Sequence, residues 1–297
     1  MNWKEKTKEN VAGYLFILPN LLGFCAFILL PLVFSLILIF TDWNYLKGLQ
    51  GLTYIGLDNV IKLFHDVMVF KALAHNVIFS AVTVPAAMLG GLLLATILNK
   101  HVFLKETLRT LVFLPYMSSL IAIAVVWRVM YNSSEGPINN VLKSLGVSNP
   151  PGWLASPDWS LIAIIIMTVW IYVGYAMVLY MAGLQGISKD YYEASEIDGA
   201  NALKRFWHIT LPLLKPTSFM IAITLVIASF QVFASVQVMS NGGPLNSTLV
   251  LALYIYRQAF ELKQMSYAST VSWLLFIVIF IVTIVQWKGQ KKWQDYY

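Results

Sequence analysis

Ser188-Lys-Asp-Tyr-Tyr-Glu-Ala-Ser-Glu-Ile-Asp-Gly-Ala-Asn-Ala-Leu-Lys-Arg-Phe-Trp-His-Ile-Thr-Leu-Pro212 is a charged segment set between two long uncharged ones. Upstream, Trp159 to Ser188 contains no Asp, Glu, Lys or Arg; downstream, neither does Pro216 to Tyr256. A bilayer core about 30 Å thick is crossed by roughly 20 apolar helical residues, so each flank is long enough to span it. The charged segment therefore reads as a loop joining two membrane spans. The same search outward finds four more uncharged runs: Val11 to Thr41, Ala72 to Asn99, Thr110 to Trp127 and Gln264 to Trp287. The run beginning at Pro216 is too long for one crossing and contains the turn Asn241-Gly-Gly-Pro244, which ends its helix near Ser240. Six transmembrane helices are predicted, at 12–40, 72–98, 110–131, 160–184, 217–240 and 268–287. The fold class is all-α integral membrane. A terminal segment 1–10 precedes a membrane domain 11–288, which includes the loop 188–215, and a tail 289–297 follows.

Composition supports the reading. Of 297 residues 59% are hydrophobic and 11% charged, and the mean hydropathy is +0.70. Soluble chains carry about 25% charged residues, so this one lacks the polar surface to coat a soluble enzyme. The net charge of +6 does not point to nucleic acid, because the basic residues scatter between apolar runs instead of gathering on one face. Thirteen of the twenty fall on one set of loops: Lys4, Lys6, Lys8, Lys100, Lys105, Arg109, Lys189, Lys204, Arg205, Lys215, Lys288, Lys291 and Lys292. The positive-inside rule then puts both termini in the cytoplasm. The first run is about twice the 7–15 residues of a secretory h-region, and it lacks a small-x-small cleavage site before Asp42. Pro19, Pro31 and Pro85 are read as kinks that serve packing. The single cysteine, Cys25, rules out a disulfide framework or a thiolate metal site, and no metal site is expected.

Within the 188–212 loop, Ser188 or Asp190 can cap a short helix, with acidic residues in its first turn suiting the dipole. Gly199 is placed to end it in the left-handed conformation. A second amphipathic stretch, Ala202 to Ile209, leads to Pro212 and Pro216, so the loop is predicted as a helix–turn–helix. Its first helix presents Glu193, Glu196 and Asp198 around the small Ala194 and Ser195. Nothing nucleophilic or metal-binding stands near these acids, so no catalytic residue is assigned. Spacing alone leaves a solvated surface loop equally open.

The segment resembles the EAA loop of ATP-binding-cassette importer permeases, in Glu193-Ala194-Ser195, Asp198-Gly199-Ala200, Phe206 and Ile209-Thr210-Leu211-Pro212 with Pro216. Ser195 departs from the usual Ala but is still small. Further stretches extend the likeness to the first permease of maltose-type and multiple-sugar importers: Phe16-Ile-Leu-Pro19, Phe40-Thr-Asp-Trp43, Gly56-Leu-Asp-Asn59, Phe113-Leu-Pro115, Val126-Trp-Arg128, Phe230-Gln-Val-Phe233 and Asn241-Gly-Gly-Pro244. The resemblance implies the type I importer permease fold in a bacterial cytoplasmic membrane. It implies pairing with a second, homologous permease. Two ATP-binding-cassette subunits would each cradle an EAA helix, here through Glu193, Ala194, Ser195, Glu196, Asp198 and Gly199. An extracytoplasmic solute-binding protein would deliver a saccharide, and transport would proceed by alternating access. This chain has no G-x-x-x-x-G-K-[ST] loop and so builds no Walker A cradle. It is expected to bind no cofactor itself, leaving ATP and Mg2+ to the partner ATPases, with membrane lipid around it and no nucleic acid.

Sugar sites combine aromatic platforms with amides and hydroxyls. The fourth span offers Tyr172 and Tyr175, the fifth Ser229, Gln231 and Phe233. By resemblance, Tyr175 matches an aromatic that contacts sugar in maltose-type relatives. Ser229 falls where those relatives use an amide, Gln231 lies beside such a position, and Tyr172 replaces a small residue. Aromatics in spans also serve packing or interfacial belts, and Gln can bond across helices, so both readings stand. No Lys or Arg sits mid-span in these helices, which favours a neutral saccharide over a glycerol-3-phosphate-like solute. An ion-coupled secondary transporter would mark its spans with carboxylates or His–acid relays; the spans lack Asp and Glu, and His75 stands alone near an end. A membrane enzyme would need a clustered acid, metal or nucleophile set, and the four histidines, His65, His75, His101 and His208, are dispersed.

Overall fold

In the computed structural model residues 3–99 and 104–294 are described. Lys100 and His101 lie outside the described residues, as do the side chains of Lys4, Lys6, Lys8, Lys291 and Lys292. The chain divides into two compact units, Met1–Asp66 with Ile255–Leu274, and Val67–Tyr254 with Leu275–Tyr297.

In the first unit, α1 (Trp3–Phe24) passes through a π-helical turn (Cys25–Leu29) into α2 (Leu30–Leu38). Helix thus begins well before the predicted start at 12 and stops just short of 40. The π turn falls immediately before Pro31, where a missing N–H would otherwise break the ladder. Side chains of Ala12–Leu38 stand almost wholly open, with Phe16 87% and Phe27 83% exposed, as an apolar span needs when lipid is its solvent. A short antiparallel hairpin follows within the otherwise helical chain: β1 (Thr41–Trp43) pairs with β2 (Leu52–Tyr54), Thr41 opposite Tyr54. The Phe40-Thr-Asp-Trp43 stretch forms this corner, with the Trp43 indole donating to the Gly48 carbonyl at 2.9 Å and packing edge-on to Phe34. Asn59, buried in α3 (Asp58–His65), donates to the carbonyls of Ile39 and Thr41 and so holds the helix exit. The early turns of the last long helix close the unit, where Tyr267 donates to Asp66 at 2.5 Å and Lys62 lies 4.0 Å over the Tyr267 ring.

The second unit is built on α4 (Val67–Leu98), followed by α5 (Lys105–Met117), α6 (Leu120–Met130), α7 (Pro137–Ser144) and α8 (Pro157–Gln185). Then come α9 (Lys189–Ile197), α10 (Ala202–Arg205), a π turn (Phe206–Thr210) and α11 (Leu211–Leu213). The rest are α12 (Lys215–Phe230), α13 (Ala234–Met239), α14 (Leu251–Tyr256), which crosses into the first unit, and the C-terminal part of α15 (Met265–Gln294). Its core is Val84, Ala87 and Ala95 of α4 against Met177, Tyr180 and Met181 of α8 and Ile221, Leu225 and Phe230 of α12. Lipid tails are as apolar as Leu, so association in a bilayer rests on close packing at small residues. A Cβ added at Gly91 would meet Ala176 Cβ at 2.5 Å, and one at Gly174 would meet the Val112 carbonyl oxygen at 2.3 Å.

Among the described residues four helices are long and apolar enough to cross a membrane alone, and up to six crossings result if each of two bent pairs, Lys105–Met117 with Leu120–Met130 and Ala202–Leu213 with Lys215–Phe230, counts as one. Two predicted continuous spans are corrected. The one expected over 110–131 is broken between α5 and α6 by a 97° bend at Ser118–Ser119. Pro115 supplies no N–H, and Ser118 turns extended while its N–H and Oγ both donate to the Leu114 carbonyl, which ends the ladder there. The helix expected over 217–240 stops at Phe230 and resumes at Ala234. Non-helical backbone at membrane depth must be satisfied by protein, and Asn76 does this. Fully buried in α4, it donates to the Phe230 carbonyl at 3.0 Å and accepts the Leu251 N–H at 2.8 Å. His75, alone near the end of its predicted span, bonds the Leu249 carbonyl at 2.8 Å.

Candidate functional site

Two places in the second unit gather the residues singled out in the sequence. The first is the charged loop. Ser188 caps α9 by accepting the Asp190 N–H, and Gly199 follows the helix at φ +73°, a conformation that penalises any Cβ. Asn201 caps the second helix by accepting the Lys204 N–H. The turn is braced by Tyr192, whose hydroxyl lies 3.0 Å from Thr210 Oγ1, and by an Arg205–Glu196 ion pair. Glu193, Ala194, Glu196, Asp198 and Gly199 are exposed and Ser195 half-buried. Ile197 is 88% exposed, an apolar side chain with no cover on a helix otherwise polar. Beside α9 a shallow cleft is lined by Ser195, Asp198, Lys204, Arg205 and His208. A short, doubly capped helix with small residues and one naked apolar side chain can dock into a groove but holds no catalytic set.

The second place is a cavity of about 350 Å³ that opens where both spans break. Its walls are Pro115, Tyr116 and Ser118 from the end of α5, Thr168, Ile171 and Tyr172 from α8, and Gln231, Val232 and Phe233 from the unwound link between α12 and α13. Ile171 is the middle residue of the 29-residue α8, so the cavity sits at mid-depth of that helix. Among the described residues no charged side chain lines it. Gln231 is exposed, and among the described residues its amide has no partner. Tyr175 stands behind this wall, its ring stacked on Tyr116 with centroids 4.7 Å apart and planes at 28°, and Phe113 stacks on Tyr116 at 5.8 Å. The structure thus brings Tyr172, Gln231 and Phe233 together around one space, with Tyr175 a layer back. Ser229 is placed elsewhere: fully buried, it donates to the Val226 carbonyl and lies 2.7 Å from the Ser80 hydroxyl. Sequence reasoning missed Tyr116 and Ser118, whose signal was Pro115 inside an apolar run followed by two serines. Among the described residues no cluster of His, Cys, Asp or Glu could hold a metal ion.

Comparison with known proteins gives this geometry a context. Residues 87–288 match the family described as binding-protein-dependent transport system inner membrane component. The chain is 37% identical over 293 residues to the lactose transport system permease protein LacF of Rhizobium radiobacter, covering 97% of this chain and 96% of that one. It is 35% identical over 286 residues to the trehalose/maltose transport system permease protein MalF of Thermococcus litoralis, covering 96% and 95%. In fold it is similar to a chain of a bacterial ABC transporter that imports the acidic polysaccharide alginate, with a TM-score of 0.83 at 21% identity over 97% of this chain and 98% of that one. A capped surface loop, a mid-depth cavity at two helix breaks and a family match over most of the length agree, and the chain belongs to the inner-membrane permease components of binding-protein-dependent transport systems, a transport subunit and not an enzyme.

Proposed function

We propose that this chain is the first permease of an ATP-driven, binding-protein-dependent importer of a neutral saccharide, an oligosaccharide by preference. The observation that carries the reading is the cavity at the two breaks. It joins an exposed amide, Gln231, and aromatic rings from Tyr116 and Tyr172 in a space with no fixed charge. Substrate sites built where spanning helices are interrupted near the bilayer midplane are a recurring solution in transporters, because unwound backbone supplies extra polar groups there. Amide and hydroxyl groups pair with sugar hydroxyls, and aromatic faces cover the sugar ring. Relatives whose names specify lactose and trehalose/maltose agree with this class. The uncharged lining argues against a glycerol-3-phosphate-like solute, whose phosphate needs compensating charge.

A second homologous permease completes the pathway, and an extracytoplasmic binding protein loads it. Both termini and the 188–215 loop face the cytoplasm, following the distribution of basic residues. There α9 docks into a cleft of an ATPase subunit through Ala194, Ser195 and Ile197, flanked by Glu193, Glu196 and Asp198. ATP and Mg2+ sit in the two partner ATPases. Closure of the ATPase dimer turns the permeases outward and hydrolysis resets them. The deciding experiment reconstitutes the chain with its partner permease, ATPases and binding protein, and screens saccharides for stimulated ATP hydrolysis and uptake. A neutral oligosaccharide is expected to stimulate both. Uptake driven by a proton or sodium gradient without ATP would overturn the reading in favour of a secondary transporter.

A further inference from the structure

The amphipathic stretch after Gly199 lends Lys204, Arg205 and His208 to the cleft beside α9, but its Leu203–Trp207 edge is used by neither place described above. From Ala202 to Leu213 it forms one helical segment that meets α12 at 61°. With α12 running near the membrane normal, a segment inclined to it by 61° lies closer to the bilayer plane than to that normal. One side is anchored: Thr210 and the following Leu214 are buried, and Arg205 is paired to Glu196 on α9. The other side is open and mixed. Leu203 and Trp207, one turn apart, are 66% and 57% exposed, with Trp207 edge-on to the half-buried Phe206. Next to them, also one turn apart, stand Lys204 and His208 on the rim of the cleft beside α9, and the Lys204 ammonium has no carboxylate partner among the described residues. An exposed Leu–Trp edge flanked by basic groups, on a helix inclined to the span, is the arrangement that rests at a headgroup boundary. The indole sits at the interface, the leucine dips below it and the lysine ammonium meets phosphate. The open edge also continues along the chain into α12, where Met220 is 61% exposed on a spanning helix.

We propose that residues 202–213 form an interfacial anchor whose Leu203–Trp207 edge inserts into the leaflet beside the coupling loop, with Lys204 at the anionic headgroups. The anchor fixes the base on which α9 is mounted, through the Arg205–Glu196 and Tyr192–Thr210 contacts, so that force on α9 reaches α12 instead of being lost in loop motion. The proposal needs the family assignment but not the substrate.

The test is site-directed spin labelling of the full transporter in nanodiscs of mixed phosphatidylglycerol and phosphatidylcholine, in a Cys25→Ser background. Leu203→Cys is expected to collide with dissolved oxygen several-fold more than with a water-soluble nickel chelate, with or without ATPase subunits bound. Ile197→Cys serves as the separate probe of the coupling reading: open to nickel without ATPase and shielded with it. A Leu203 label that is nickel-accessible without ATPase, or that loses access to both reagents only when ATPase binds, would overturn the lipid assignment, whatever Ile197 does. Trp207→Glu should lower substrate-stimulated hydrolysis several-fold while Trp207→Tyr retains it, and equal behaviour of the two variants would also count against the anchor.

Discussion

Asn76→Ala is the sharpest probe of how the broken span is held. The amide of Asn76 satisfies two backbone groups with no helical partner, the Phe230 carbonyl at the end of α12 and the Leu251 N–H at the start of α14. Alanine leaves both unpaired in a site from which water is excluded, since Asn76 is fully buried. Each orphaned buried group costs about 1–3 kcal/mol, so the variant should lose about 2–6 kcal/mol. For a chain of this size such a loss lowers the midpoint of thermal unfolding by on the order of 10 °C. Ser80→Ala, one turn along α4, is the control. It removes the hydroxyl beside Ser229, but Ser229 keeps the Val226 carbonyl, so the loss is about 0.5–1.5 kcal/mol. Size-exclusion chromatography of the heated, detergent-solubilised complex reads both midpoints. Asn76→Ala should also weaken substrate-stimulated hydrolysis at permissive temperature, because the link it restrains carries Gln231 and Phe233 into the cavity. Equal melting of the two variants would refute the claim that this amide holds the break.

Gly199→Asp and Glu193→Lys should leave the protein in the membrane yet abolish substrate-stimulated ATP hydrolysis, the first by straining a backbone at φ +73° and the second by reversing charge on the proposed docking face; wild-type hydrolysis in both would contradict the proposed coupling role. Gln231→Ala removes one amide from the cavity wall and should raise the half-saturating substrate concentration about 2–13-fold, equivalent to about 0.5–1.5 kcal/mol, in a transport assay, with no change in thermal midpoint because the amide has no partner among the described residues. Gly174→Ala forces a methyl to within 2.3 Å of the Val112 carbonyl oxygen and should cost about 1–3 kcal/mol of stability, read by the same melting experiment.

Span existence was legible because hydropathy reports how much apolar surface a stretch offers, and uncharged runs in this chain have sharp ends. The loop was legible for a different reason: caps and turns are local chemistry. Ser188 and Gly199 do in the structure what their types and spacing imply, and only the cap at Asn201 went unread. Backbone continuity was not legible. An apolar run looks the same whether its helix is whole or bent by 97°, since both halves of a broken span are as hydrophobic as an intact one. Tertiary partners decide the matter, and the partner of the second break, Asn76, lies over 150 residues away in sequence. The same limit separated Ser229 from Gln231. Both are polar residues two positions apart in one span, but the helix ends between them, so one turns into the core beside Ser80 and the other into the cavity.

A polar residue in an otherwise apolar span thus carries a question that composition cannot answer: whether it serves a ligand or a piece of backbone. Here the division follows burial. Asn76, Ser80 and Ser229 are buried and engaged with neighbouring protein groups, and Asn76 stabilises the very interruption that exposes Gln231. The cavity therefore depends on a residue that never reaches it. Substitutions that alter specificity should fall on Tyr116, Tyr172 and Gln231, whereas those at Asn76 should reduce stability and transport together for every substrate. Competition among several sugars separates these outcomes: a change in their ranking marks the wall, and a uniform loss marks the support. If Asn76→Ala reordered sugar preference at unchanged stability, the amide would belong to the site, and the division between wall and support would be wrong.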